Sequence, residues 1–84
     1  MMNTALLLQL RDNILIRLQQ KGLKIYPGAD VVTELLNKGE FSISIKGITI
    51  GLRNLSDKMI FNMCSYDNFR IKKIAKFFET KLKT

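Results

Sequence analysis

Phe41–Arg53 reads FSISIKGITIGLR. Phe41, Ile43 and Ile45 alternate with Ser42, Ser44 and Lys46, and beyond Lys46-Gly47 the alternation resumes with Ile48, Ile50 and Leu52 against Thr49, Gly51 and Arg53. A period of two residues belongs to a strand with one buried face. A two-residue turn at Lys46-Gly47 places Ile45 opposite Ile48, Ile43 opposite Ile50 and Phe41 opposite Leu52, so all six apolar side chains fall on one face. A slip of one residue would turn the whole set into water, which specifies the register strongly. That face must be covered, and only the flanking segments can cover it.

On the N-terminal side, Leu7, Leu10, Ile14, Leu15 and Leu18 recur at helical spacing and predict a helix over residues 4–21, ended by Gly22. Gln9, Asp12, Asn13, Gln19 and Gln20 fill its opposite side, while Arg11 intrudes on the apolar stripe and Ile16 on the polar face. After a turn around Pro27-Gly28, Asp30 reads as the cap of a short helix over residues 31–38, with Val32, Leu35 and Leu36 inward and Gly39 at its end. Residues 59–65 read as a third strand, with Met59, Phe61 and Met63, or else Ile60 and Cys64, turned inward. Asp67 or Asn68 then caps a final helix over residues 68–82 whose inward stripe is Ile71, Ile74, Ala75, Phe78 and Leu82.

The expected fold is therefore α+β. A three-stranded antiparallel sheet (about 40–46, 48–54 and 59–65) is covered on one face by the N-terminal and C-terminal helices, with the short helix preceding the sheet. No linker, repeat or low-complexity stretch interrupts residues 1–84, which read as a single domain. A chain of 84 residues buries only about 60–65% of its unfolded surface, so its stability is expected to be modest.

Composition removes most catalytic chemistry. Histidine is absent and Cys64 is the only cysteine, which eliminates Ser-His and Cys-His pairs, nearly all zinc sites and any internal disulfide. Asp30 and Glu34 read as a cap with an acidic first turn rather than as metal ligands, and Gly47 and Gly51 as turn and strand residues rather than a phosphate loop. Ala5–Leu8 is the longest apolar run, far below the roughly 18 residues of a membrane span. Uncharged residues 1–4, followed by Arg11 and Asp12, lack the pattern of a secretory signal. The expectation is a cytoplasmic protein without enzymatic activity, cofactor, metal or membrane association.

The charge is unevenly placed. The chain carries +7, and Asn68–Thr84 holds +5 of it, as Arg70, Lys72, Lys73, Lys76, Lys81 and Lys83 against the single acid Glu79. Charge gathered on one terminal element points to an anionic partner. Arg70, Lys72 and Lys73 fall near the start of the helix, where the dipole opposes cations by about 0.3–1 kcal/mol each. A helix selected for stability alone would not be charged this way. On a helical wheel Phe77 lies about 100° from the centre of the inward stripe, between Arg70, Lys73 and Lys81. An aromatic ring flanked by cations suits nucleic acid, with charge on phosphate and a ring for stacking. The same helix could lie on an anionic membrane, but its apolar stripe is needed to cover the sheet.

Lys72-Lys73-Ile74-Ala75-Lys76 resembles the KKxAK start of the last helix in double-stranded RNA-binding domains, whose order of helix, three strands and helix is also similar. The resemblance covers that pentapeptide and the topology. That family's glycine-rich approach and its histidine in the first strand turn are missing, Phe77 and Phe78 stand where small residues usually follow, and the chain is not assigned to it.

Two functions remain from different classes. The first is a binding protein that engages nucleic acid or another polyanion through Arg70, Lys72, Lys73, Lys76, Phe77 and Lys81. The alternative is a protein-interaction module, such as an accessory or inhibitory protein of the mobile-element or phage type, with an acidic protein surface as partner or self-associating through the N-terminal helix. There Leu6 and Ile16 lie outside the core stripe and Arg11 within it, which marks Leu6, Arg11 and Ile16 as the candidate protein interface.

Overall fold

The computed structural model describes residues 4–28, 30–37, 39–65 and 67–83. Its elements are α1 (Thr4–Gln20), β1 (Val31–Asn37), β2 (Glu40–Ile45), β3 (Ile48–Leu52), α2 (Asp57–Met63) and α3 (Phe69–Leu82). The hairpin of β2 and β3 has the register its alternation dictates, with Phe41 opposite Leu52, Ile43 opposite Ile50 and Ile45 opposite Ile48. Lys46 and Gly47 both take positive φ, 50° and 83°, as a tight turn matched to strand twist requires. Phe41, Ile43 and Ile45 are fully buried, whereas Ile48, Ile50 and Leu52 are half-buried because β3 is an edge strand. The outer face is polar, and Ser44 and Thr49 share a 2.6 Å hydrogen bond across the strands.

The class, the three-stranded antiparallel sheet and the two terminal helices are as expected, but two segments exchange roles. Val31–Asn37, expected as a short helix over 31–38, is strand β1, antiparallel to β2 with Val31 opposite Ile45, Thr33 opposite Ile43 and Leu35 opposite Phe41. Lys38 lies outside the described residues. β-branched Val31, Val32 and Thr33 favour the extended chain, and pairing with β2 outweighs a two-turn helix that would need outside support. Asp30 does not cap a helix. Its carbonyl accepts from the Lys46 amide at 2.8 Å and extends the β1–β2 pairing. Gly39 makes the following turn possible, since its φ is +75° and a Cβ there would lie 2.7 Å from the Leu55 carbonyl oxygen.

The expected third strand over 59–65 is instead α2. Ser56 caps it, its hydroxyl accepting from the Met59 amide at 3.1 Å, and Asp57 adds an acid to the first turn. Ile60 and Met63, three apart, are buried, while Phe61 turns to solvent at 68% exposure. The sheet therefore has the order β1-β2-β3, and its edges are β1 and β3.

All five stripe residues of α1 are buried and join Phe41, Ile43, Ile45, Ile60, Met63, Ile71, Ile74, Ala75 and Phe78 in one apolar cluster. That cluster packs the helices against the sheet and holds α1 against α3. Asn13, assigned to the polar side of α1, is buried at 9% exposure because α2 ends there. Its amide donates to the Cys64 carbonyl at 2.7 Å, satisfying a carbonyl at the end of α2. Among the described residues no helix is long and apolar enough to cross a membrane.

Candidate nucleic-acid interface

α3 starts where its sequence says it should. Asn68 has extended backbone angles, and its side-chain oxygen accepts from the amides of Arg70 at 2.9 Å and Ile71 at 3.3 Å. Ile71, Ile74, Ala75 and Phe78 are buried and Leu82 half-buried, so the inward stripe is anchored as expected. This anchoring turns Arg70, Lys72, Lys73, Lys76 and Lys81 outward, and all five are exposed. Replacing Asn68 by Ala removes the cap and should lower stability by about 1 kcal/mol, read as a reduced urea midpoint.

Phe77 is half-buried rather than enclosed, and its ring meets Phe78 edge-on at 5.5 Å and 76°. Lys81 Nζ lies 6.0 Å from the Phe77 centroid. One turn before Lys73 the pattern repeats, with Lys73 Nζ 5.9 Å from the ring of Phe69, which is 62% exposed. Phe69, Lys73, Phe77 and Lys81 thus form a ladder of alternating rings and cations, spaced four apart along the outer side of α3. Each ring–cation pair stands near the 6 Å reach of cation–π attraction, about 0.5–1 kcal/mol in exposed settings. Phe69 was not among the expected site residues. The four-residue spacing to Lys73 and Phe77 was the signal that could have found it.

Lys72 and Lys76 instead lie on the side of α3 nearer α1. Arg17, Leu18 and Lys21 of the end of α1 and Lys72, Ala75, Lys76 and Glu79 of α3 line one cleft. Glu79 meets Lys83 at 3.2 Å and Lys76 at 3.7 Å, and Arg17 stands 4.0 Å from Asp67. The hydrogen bond from Lys83, with the charges of Lys83, Lys76 and Lys21, holds the Glu79 carboxyl below the usual range against a smaller opposing effect of burial. A carboxyl so lowered contributes stability above its ordinary pKa and loses it as pH falls through the lowered value. Glu79→Gln should accordingly flatten the acid side of the stability profile, as measured by thermal melts at neutral and acidic pH.

Leu6, Arg11 and Ile16 are not brought together. Successive members are five residues apart and so about 140° apart around the helix. Leu6 is half-buried against the core, and its carbonyl accepts from the Cys64 thiol at 3.4 Å. Arg11 is partly buried and donates twice to its neighbour Asp12, at 2.8 and 3.1 Å. Ile16 is exposed in a shallow depression shared with Asp12, Leu15, Gln19 and Pro27. Burial pushes the Cys64 thiol up, away from a reactive thiolate. Comparison with protein-family models, with curated proteins and with solved structures gave no match.

Proposed function

We propose that this protein works without catalysis, by binding nucleic acid along the outer side of α3. The observation that carries the reading is the Phe69–Lys73–Phe77–Lys81 ladder, beside which Arg70 also projects. Glu79, the one carboxylate of the helix, sits on the opposite flank against Lys76 and Lys83. Cations spaced along the helix serve phosphates, and the exposed Phe69 ring offers a stacking surface that a purely electrostatic binder would not need. A single strand, whose bases are free to stack, suits this better than a duplex.

The reading is tested by titrating the protein with random single-stranded and duplex oligonucleotides at two salt concentrations. Affinity should fall steeply with salt for both and be higher for the single strand. Binding indifferent to salt would dismiss the reading. Phe69→Ala should weaken single-strand binding by about 1–3 kcal/mol and leave duplex binding nearly unchanged. Phe69 is a cleaner probe than Phe77, which also packs on Phe78.

A second reading, a protein-interaction module, has its own support in β1 rather than in α1. Val32, Leu35 and Leu36 are about half exposed on this edge strand, leaving an apolar margin beside backbone groups that pair with no further strand among the described residues. A gel-filtration mass that rises with concentration, and ceases to do so in Leu36→Lys, would favour it.

A further inference from the structure

The cleft between α1 and α3 has features that neither the ladder nor simple helix packing explains. Its volume is ≈ 210 Å³, below the roughly 300 Å³ at which sites for whole small molecules begin. An anionic group of phosphate size fits it. Four cations from two helices, Arg17, Lys21, Lys72 and Lys76, line it with Leu18 and Ala75 between them, and Glu79 is the only acid among the lining residues.

Arg17 and Lys21 have a structural reason to be there, because they stand at the C-terminal end of α1, where the dipole favours cations. Lys72 has none. It lies in the opening turn of α3, against the dipole, and faces space already occupied by like charge. Glu79, shared between Lys76 and Lys83, and Asp67, 4.0 Å from Arg17, offset the four cations only in part. A doubly charged anion between the two helices would relieve this excess, and an Arg fork beside lysines is the combination that holds phosphate.

We propose that the α1–α3 cleft is a phosphate-binding subsite formed by Arg17, Lys21, Lys72 and Lys76, in which Glu79 acts as an internal competitor for the ligand. The subsite stands whether or not a strand runs along the ladder. Its phosphate comes either from the backbone of a bound strand or from a terminal monoester.

The test is an amide NMR titration with inorganic phosphate, with sodium chloride at matched ionic strength as the control. Saturable shifts should be confined to the end of α1 and the first half of α3. Lys21 and Lys72 are exposed, so Lys21→Ala with Lys72→Ala should abolish saturation while the rest of the spectrum stays in place. Glu79→Gln should tighten phosphate binding by about 3- to 10-fold through loss of one like charge. Shifts that grow linearly and equally in chloride, or saturation that survives the double substitution, would overturn the subsite.

Competition between phosphate and one oligonucleotide, with and without a 5′-phosphate, separates the two sources. Preference for the phosphorylated form assigns the terminal monoester, and equal displacement of both forms assigns the backbone. Loss of oligonucleotide binding with phosphate saturation retained would sink the ladder alone, and the reverse would sink the cleft alone.

Discussion

The variant carrying Arg70→Ala, Lys73→Ala and Lys81→Ala should bind an unstructured oligonucleotide about 100-fold more weakly than the parent at 0.1 M salt. Each single-strand phosphate contact adds about 0.7 to the slope of log affinity against log salt. For a strand that meets Arg70, Lys73 and Lys81 on the outer side and reaches Lys72 and Lys76 at the cleft the slope is about −3.5, and with only Lys72 and Lys76 left it is about −1.4. Raising salt from 50 to 200 mM should then weaken the parent about 100-fold and the variant about 7-fold. Folding should be nearly unaffected. All three side chains are exposed, Ala is the best helix former, and removing Arg70 and Lys73 from the start of α3 offsets the loss of Lys81 from its last turn and of the ring–cation attraction. A fluorescence-anisotropy titration over a salt series, with a melting curve on the same sample, checks both halves. An unchanged salt slope would mean that these residues meet no phosphate.

Phe41→Ala should have the largest effect on stability. Phe41 is fully buried on the central strand, with Leu35 opposite on β1 and Leu52 opposite on β3. Its truncation costs about 3–5 kcal/mol, as lost transfer energy plus the cavity left behind. At about 0.05–0.15 kcal/mol per residue, an 84-residue chain has roughly 4–12 kcal/mol in all. The variant should therefore be partly unfolded at room temperature or close to it. With a urea slope of about 1.5 kcal/mol/M, the midpoint falls by about 2–3 M. Ser42→Ala, one residue along on the outer face, should stay within about 0.5 kcal/mol of the parent. If both variants melt alike, the inner face of the sheet is not the centre of the core.

These two results bear on the parts of the protein that the chain declares most openly. The hairpin is readable because a strict period of two and a Lys46-Gly47 turn agree on one register. α1 and α3 are readable because their stripes run for several turns. The exchange between 31–37 and 57–63 arises where the signals are short and opposed. Asp30 before an apolar run imitates a helix cap, yet the run opens with three β-branched residues, and the dipeptide Lys38-Gly39 repeats Lys46-Gly47. Met59-Ile60-Phe61 is an apolar triplet that suits a strand or a helix equally, and Ser56-Asp57 before it is the detail that decides for the helix.

The candidate site divides in the same way. The basic, aromatic side of α3 follows from spacing within one element, and Phe69, next to the cap, extends it by one turn. That Lys72 and Lys76 turn away from the ladder to face Arg17 and Lys21 depends on α1 lying against α3. No local pattern encodes that, because the pairing is decided by how both stripes share the face of the sheet.

The end of α2 has a consequence of its own. Asn13 and Gln9 of α1 both reach the Cys64 carbonyl, at 2.7 and 3.5 Å, and the Cys64 thiol in turn donates to the Leu6 carbonyl. One residue thus fastens two turns of the first helix from the side. Its sulfur is guarded only while that helix is seated, so the pace at which an alkylating reagent modifies Cys64 becomes a clock for how often the helix lifts away.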